Sequence, residues 1–213
     1  MSKIYAKLNR ALMSAGLPAR MVQRVKGFNL EIEGAVDILV NARVDAAPFA
    51  NVLLEYAPKL TVANEIEMVA RCMTQPRGFQ RAVPWLLSLY KNYPKNGLSQ
   101  SHLWAIGHAI YTINEKSFYP QVISVCRSKK YGSGRQILMG TLARAKSEDA
   151  YDVLLRSVND PSVRAHAIEA LGRFGRTDSI QILERLAVQK GLYEFKAKET
   201  ALRRLRRKLT DKS

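Results

Sequence analysis

Residues 158–175 read VNDPSVRAHAIEALGRFG, and this stretch decides the fold because a helix start, an amphipathic helix and a helix stop follow one another within it. Asp160 is placed to cap, Pro161 suits a first helical turn, where its missing donor is tolerated, and Gly175 suits the position after the last turn. Between them Val163, Ala167, Ile168, Leu171 and Phe174 recur at the three-and-four spacing that lays one apolar stripe along a helix. A helix with a single stripe needs neighbours to cover it.

The same signal recurs outward from this stretch. A small residue followed by Ile or Leu marks Ala109-Ile110, Thr141-Leu142, Ala170-Leu171 and Ala201-Leu202, at steps of 32, 29 and 31 residues. A near-constant step predicts stacked helical hairpins, none able to bury its apolar face alone. Upstream, PFANVLLEYA, TVANEIEMVARCMT, RAVPWLLSLYKNYP and LSQSHLWAIGHAIYTI keep the rhythm of helix pairs, separated by short polar or Pro/Gly joints that favour antiparallel neighbours. Near the N-terminus the spacing predicts a helix over Ile4 to Ala15. A short second helix carries Met21, Val22 and Val25 and stops near Gly27, and a third runs from about Leu30 to Arg43 with Glu31 and Glu33 at its positive end. No segment alternates with period two for long enough to predict a strand. The expectation is an all-α chain forming one α-solenoid of antiparallel helix pairs over residues 1–213. Residues 1–46 form its N-terminal helical cap and residues 47–213 the repeats; a non-repetitive helical bundle is the alternative.

The order Asp160-Pro161-Ser162-Val163-Arg164, followed by Ala167, Ile168, Ala170, Leu171 and Gly172, resembles the second helix of a HEAT-type repeat and of the related short repeats of bilin-lyase-like proteins. The resemblance implies that Asp160 and Arg164 tie adjacent repeats together. Arg135 falls in register with Arg164, so both are read as structural rather than ligand-binding.

Against 18 Asp and Glu stand 34 Lys and Arg, a formal charge of +16. That field favours nucleic acid, an anionic membrane or an acidic protein, with solubility alone as the competing reading. Cys72 and Cys126 are too few and too isolated for a disulfide framework or a thiolate zinc site, which fits a reducing compartment. Lys3, Lys7, Asn9 and Arg10 interrupt the N-terminal apolar run, so neither a secretion signal nor a membrane span is expected and the chain is read as cytoplasmic.

The repeat register also aligns polar residues. Two positions after each marker stand Thr112, Arg144, Arg173 and Arg204, with Arg176 and Arg207 further along the same end. A column of guanidinium groups presents planar forks of donors suited to phosphate or carboxylate; a solvated face is the competing reading. The tail helix, from about Tyr193 to Leu209, adds Lys196, Lys198, Arg203, Arg206 and Lys208, followed by Lys212. On the separate helix LSQSHLWAIGHAIYTI, Trp104, His108 and Tyr111 lie opposite the core positions Leu103, Ile106, Ile110 and Ile113. That aromatic stripe could stack bases or anchor a partner, or simply pack between repeats.

Chemistry is not encoded in any recognisable motif. His102, His108 and His166 form no metal-binding spacing, and Gly132 and Gly134 beside Lys129 and Lys130 lack the order of a P-loop and read as a helix-joining turn. No catalytic residue, metal, cofactor or small-molecule substrate is implied. The sequence is also similar in length, charge and architecture to bacterial alkyl-base DNA glycosylases built from HEAT-like repeats. It departs where that family's Trp and Asp would matter, because His108 stands four residues after Trp104 and Trp85 lies on a first helix. Three classes therefore stand: a non-enzymatic module binding an anionic macromolecule, nucleic acid foremost; an adaptor or inhibitor of an acidic protein; and a glycosylase.

Overall fold

The computed structural model describes residues 1–42 and 44–211; the expected helix end at Arg43 and the tail residue Lys212 lie outside the described residues. The chain forms two compact units, Met1–Glu115 and Lys116–Ser213.

In the first unit, α1 (Lys3–Ser14) is capped by the Ser2 hydroxyl, which accepts from the Tyr5 N–H. The Ser2 amide and hydroxyl both donate to Glu65 at 2.6 Å, tying the start of the chain to α4. Next comes an antiparallel hairpin, β1 (Arg20–Val25) and β2 (Phe28–Glu33), paired from Arg20 with Glu33 to Val25 with Phe28. This corrects two expectations, because the second predicted helix is a strand and the third begins only at α2 (Ala35–Asn41), after Gly34. Lys26 and Gly27 both take positive φ, 49° and 89°, as a two-residue hairpin turn of right-handed strands requires. Phe28, Leu30 and Ile32 then fall on one face of the ribbon, and Ile32 anchors it in the core while Phe28 and Leu30 stay exposed. Glu31 and Glu33 are strand residues, and the acid in the first turn of α2 is Asp37.

The unit continues with α3 (Ala50–Tyr56), α4 (Ala63–Cys72), α5 (Val83–Lys91) and α6 (Gln100–Ile113). Pro84 sits in the first turn of α5, as expected. Helix α1 packs on α2 and α3, α2 on α4, and α6 on both α4 and α5. Leu8, Leu12, Ile38, Leu53, Ile66, Leu86, Leu103 and Ile106 close this core without exposure.

The second unit contains α7 (Tyr119–Arg127), α8 (Leu138–Ala145), α9 (Glu148–Ser157), α10 (Arg164–Phe174), α11 (Ser179–Arg185) and α12 (Tyr193–Thr210). First helices pack on second helices, α7 on α8, α9 on α10 and α11 on α12, and the second helices α8, α10 and α12 stack on one another. The stripe of Val163, Ala167, Ile168, Leu171 and Phe174 is buried, as are the marker pairs Thr141-Leu142, Ala170-Leu171 and Ala201-Leu202. Gly175 ends α10 at φ 80°, its N–H bonded to the Leu171 carbonyl. The start of α10 differs from expectation. Asp160 accepts from the Ser162 amide at 3.0 Å and hydroxyl at 2.7 Å, closing a turn that holds Pro161, and the helix begins only at Arg164. Among the described residues, no helix is long and apolar enough to cross a membrane.

Candidate nucleic-acid interface

Two links fix the second helices in register. Arg135, 2% exposed, donates to Asp160 at 2.5 Å, to the Ser162 hydroxyl, and to the carbonyls of Cys126 and Gly132. Burial alone would raise the Asp160 pKa, but bonds from Ser162 and Arg135 outweigh it and hold the carboxyl below its usual range. One repeat later, Arg164 donates to the Val158 carbonyl at 2.9 Å and reaches Glu194 at 3.4 Å. The Asp–Arg ladder thus joins Asp160 to Arg135, while Arg164 serves the next rung. The Gly132–Gly134 segment is a turn fastened by Arg135, with Gly132 at φ 46°.

At the α10–α12 seam a Cβ added to Gly172 would lie 2.8 Å from the Ala201 Cα, so the two helices meet backbone against backbone. This approach draws their exposed edges together around a cleft of about 200 Å³, walled by Glu169 and Arg173 from α10 and by Tyr193, Lys196, Thr200 and Arg204 from α12. Glu169 is already engaged: it accepts from the Tyr193 hydroxyl at 2.5 Å and from Arg173 at 3.4 Å. The bond to Glu169 raises the Tyr193 pKa, and burial adds to it, so the phenol stays protonated as the donor. His166, beside Tyr193 at 6.3 Å between ring centres, has its pKa lowered by burial and is neutral at neutral pH. Lys196 and Arg204 form no ion pair among the described residues.

Residues 119–203 match the family described as HEAT repeats. This segment belongs to the HEAT-repeat family. No curated protein matches the chain.

Within the HEAT segment and the remainder of α12, the arginines singled out in the sequence separate. Arg144 and Arg173 occupy the last turns of α8 and α10. Arg204 is exposed on α12, and Arg207, also exposed, lies one turn beyond it. Arg176 is committed elsewhere. It binds Glu148 at 2.6 Å and Asp178 at 2.7 Å and lies over the Tyr151 ring at 4.0 Å, so its guanidinium is already paired with two carboxylates. The tail cations divide in the same way. Lys198 donates to the carbonyls of Glu184 and Leu186, Arg206 to Glu184, and Lys208 to the Gly175 carbonyl, which Lys146 mirrors by donating to those of Arg173 and Phe174. These lysines satisfy helix ends, where cations oppose the negative end of the dipole.

The aromatic stripe belongs to the first unit. Trp104 and His108 approach to 5.7 Å between ring centres, and they and Tyr111 are half-buried. Burial, reinforced by Arg71, lowers the His108 pKa. The nearby His102 completes a capping box with Ser99 and bonds Asn64 at 2.9 Å, a structural role. Sequence reasoning placed Lys196 only in a general basic tail, and did not single out Glu169, Tyr193 or Thr200. The spacing that identifies the α12 wall is Lys196, Thr200 and Arg204, at four-residue steps on one helical face.

Proposed function

We propose that the protein is a non-enzymatic HEAT-repeat binding module that engages an anionic macromolecule, duplex nucleic acid foremost, along the exposed edges of α8, α10 and α12. One observation carries the reading. The backbone contact of Gly172 with Ala201 gathers Arg173, Lys196 and Arg204 around one cleft whose single carboxylate is already shared. Like charges brought together repel, so the arrangement is offset most simply by a bound anion. Arg144 on α8 and Arg207 on α12 extend the positive edge on either side. Phosphate contacts of this kind fix position on a duplex without reading its sequence.

The HEAT match favours a second reading, an adaptor or inhibitor that holds an acidic protein on the same edge. One experiment separates the two. Labelled duplex DNA, duplex RNA and an acidic protein recovered from the host are titrated at two salt concentrations against the wild type and the variant carrying Arg173→Glu, Arg204→Glu and Arg207→Glu. The expected result is salt-sensitive duplex binding that the triple variant loses while still melting cooperatively. Indistinguishable duplex binding by the two proteins overturns the proposal, and binding of the acidic protein alone transfers the edge to the adaptor reading. Release of free base from alkylated DNA above a no-protein control would replace both with the glycosylase.

A further inference from the structure

We infer that the α10–α12 cleft is a seat for a phosphate monoester dianion, and that on nucleic acid it takes a terminal phosphate in preference to the internal diesters of the strand. The inference rests on the polyanion-binding reading above and specifies its ligand. The first argument is charge. Arg173, Lys196 and Arg204 bring three positive groups to the cleft and Glu169 one negative, a net of +2 among the lining residues. A diester carries one negative charge, whereas a monoester carries about 1.5 to 2 near neutral pH and offers three terminal oxygens. The second argument is size. A volume of about 200 Å³ is too small for a nucleoside with its phosphates but ample for a phosphate group, and small-molecule pockets generally begin at about 300 Å³.

The third argument is preorganisation. Glu169 accepts from Arg173 on its own helix and from Tyr193 at the start of α12, so the carboxylate fixes the α10 wall and ties it to the other. The opposite wall is one helical face carrying Lys196, Thr200 and Arg204, which adds an ammonium, a hydroxyl donor and a guanidinium fork. Diesters running past would meet single exposed cations such as Arg207, one charge at a time. Only the cleft concentrates enough charge to distinguish a dianion.

The test compares a short blunt DNA duplex bearing 5′-phosphates with the same duplex bearing 5′-hydroxyls, by fluorescence anisotropy with the full chain at physiological salt. The phosphorylated duplex is expected to bind about tenfold more tightly, the scale of one additional charge-assisted hydrogen bond. Lys196→Gln and Arg204→Gln, both on the exposed side of α12, are expected to abolish that preference with melting unchanged, and Arg207→Gln is expected to keep it. Equal binding of the two duplexes by the wild type overturns the monoester seat and leaves the polyanion reading standing. A preference that persists in both cleft variants also overturns it, because the phosphate then sits elsewhere. No binding of either duplex overturns the seat and the polyanion reading together.

Discussion

Two arginines at equivalent repeat positions differ sharply in what they hold. Arg135 is enclosed and satisfies one carboxylate, one hydroxyl and two carbonyls, whereas Arg164 is a quarter exposed, with one good carbonyl bond and a long reach to Glu194. Removing one partner of a buried ion pair strands the other without water, at a cost of about 3 to 5 kcal/mol, while a typical hydrogen bond contributes about 1 kcal/mol. Arg135→Ala is therefore expected to lower stability by about 3 kcal/mol or more and Arg164→Ala by about 1 kcal/mol, with duplex affinity unchanged in any Arg164→Ala protein that remains folded. Chemical denaturation of the three proteins checks the order; equal losses would mean the rungs are equivalent. The same pair sets an acid limit. The carboxyl of Asp160 is held below its unfolded pKa, so its contribution is fully present above about pH 4 and is lost as pH falls through the lower folded value. Asp160→Asn is expected to be less stable than wild type at neutral pH, with the difference narrowing in this acidic window, as melting curves against pH would show.

At the scale of elements, the apolar stripe of α10 and the thirty-residue rhythm were legible because their burial follows directly from helical spacing: every marker residue from Thr141 to Leu202 is in the core. The hairpin was not. Met21, Val22 and Val25 satisfy a helical spacing by chance, while the period-two signal is short and lies on the second strand, at Phe28, Leu30 and Ile32. Its turn is Lys26-Gly27 rather than the stronger Asn-Gly, and with two of the three apolar residues exposed there is little burial pattern to read. The cleft was half legible. Repeat arithmetic aligned Arg173 with Arg204, but Glu169, Tyr193 and Thr200 join them only through the helix crossing, which depends on a glycine meeting an alanine. That contact can be tested. Gly172→Ala would place a methyl 2.8 Å from the Ala201 backbone, where no flexible side chain can yield, so the helices must part. A loss of about 1 to 3 kcal/mol is expected, as for overpacked cores, together with weaker duplex binding. A variant as stable as wild type and equally tight would show that the seam has slack and the close approach does not build the cleft.

The whole molecule carries an excess of 16 positive charges, yet in the second unit several of the cations are already engaged within the fold. Arg135, Arg164, Arg176, Lys146, Lys198, Arg206 and Lys208 are each engaged with carboxylates or helix-end carbonyls. Net charge thus overstates the binding surface, and the salt dependence of binding measures the part that remains. Each phosphate contact releases condensed counterions from a duplex, so the logarithm of the association constant falls against the logarithm of salt with a slope of about −0.9 per contact. If Arg144, Arg173, Arg204 and Arg207 each meet a phosphate, replacing any one by Gln should make the slope shallower by about 0.9 and weaken unrelated sequences equally. Arg176→Gln should leave the slope unchanged, because its guanidinium is already paired with Glu148 and Asp178. The control discriminates between the two origins of the field: diffuse attraction depends on total charge and would respond alike to every lost arginine, whereas a contact strip responds only at its own positions. Equal slopes for Arg176→Gln and Arg204→Gln would leave the second-helix edge with no privileged role.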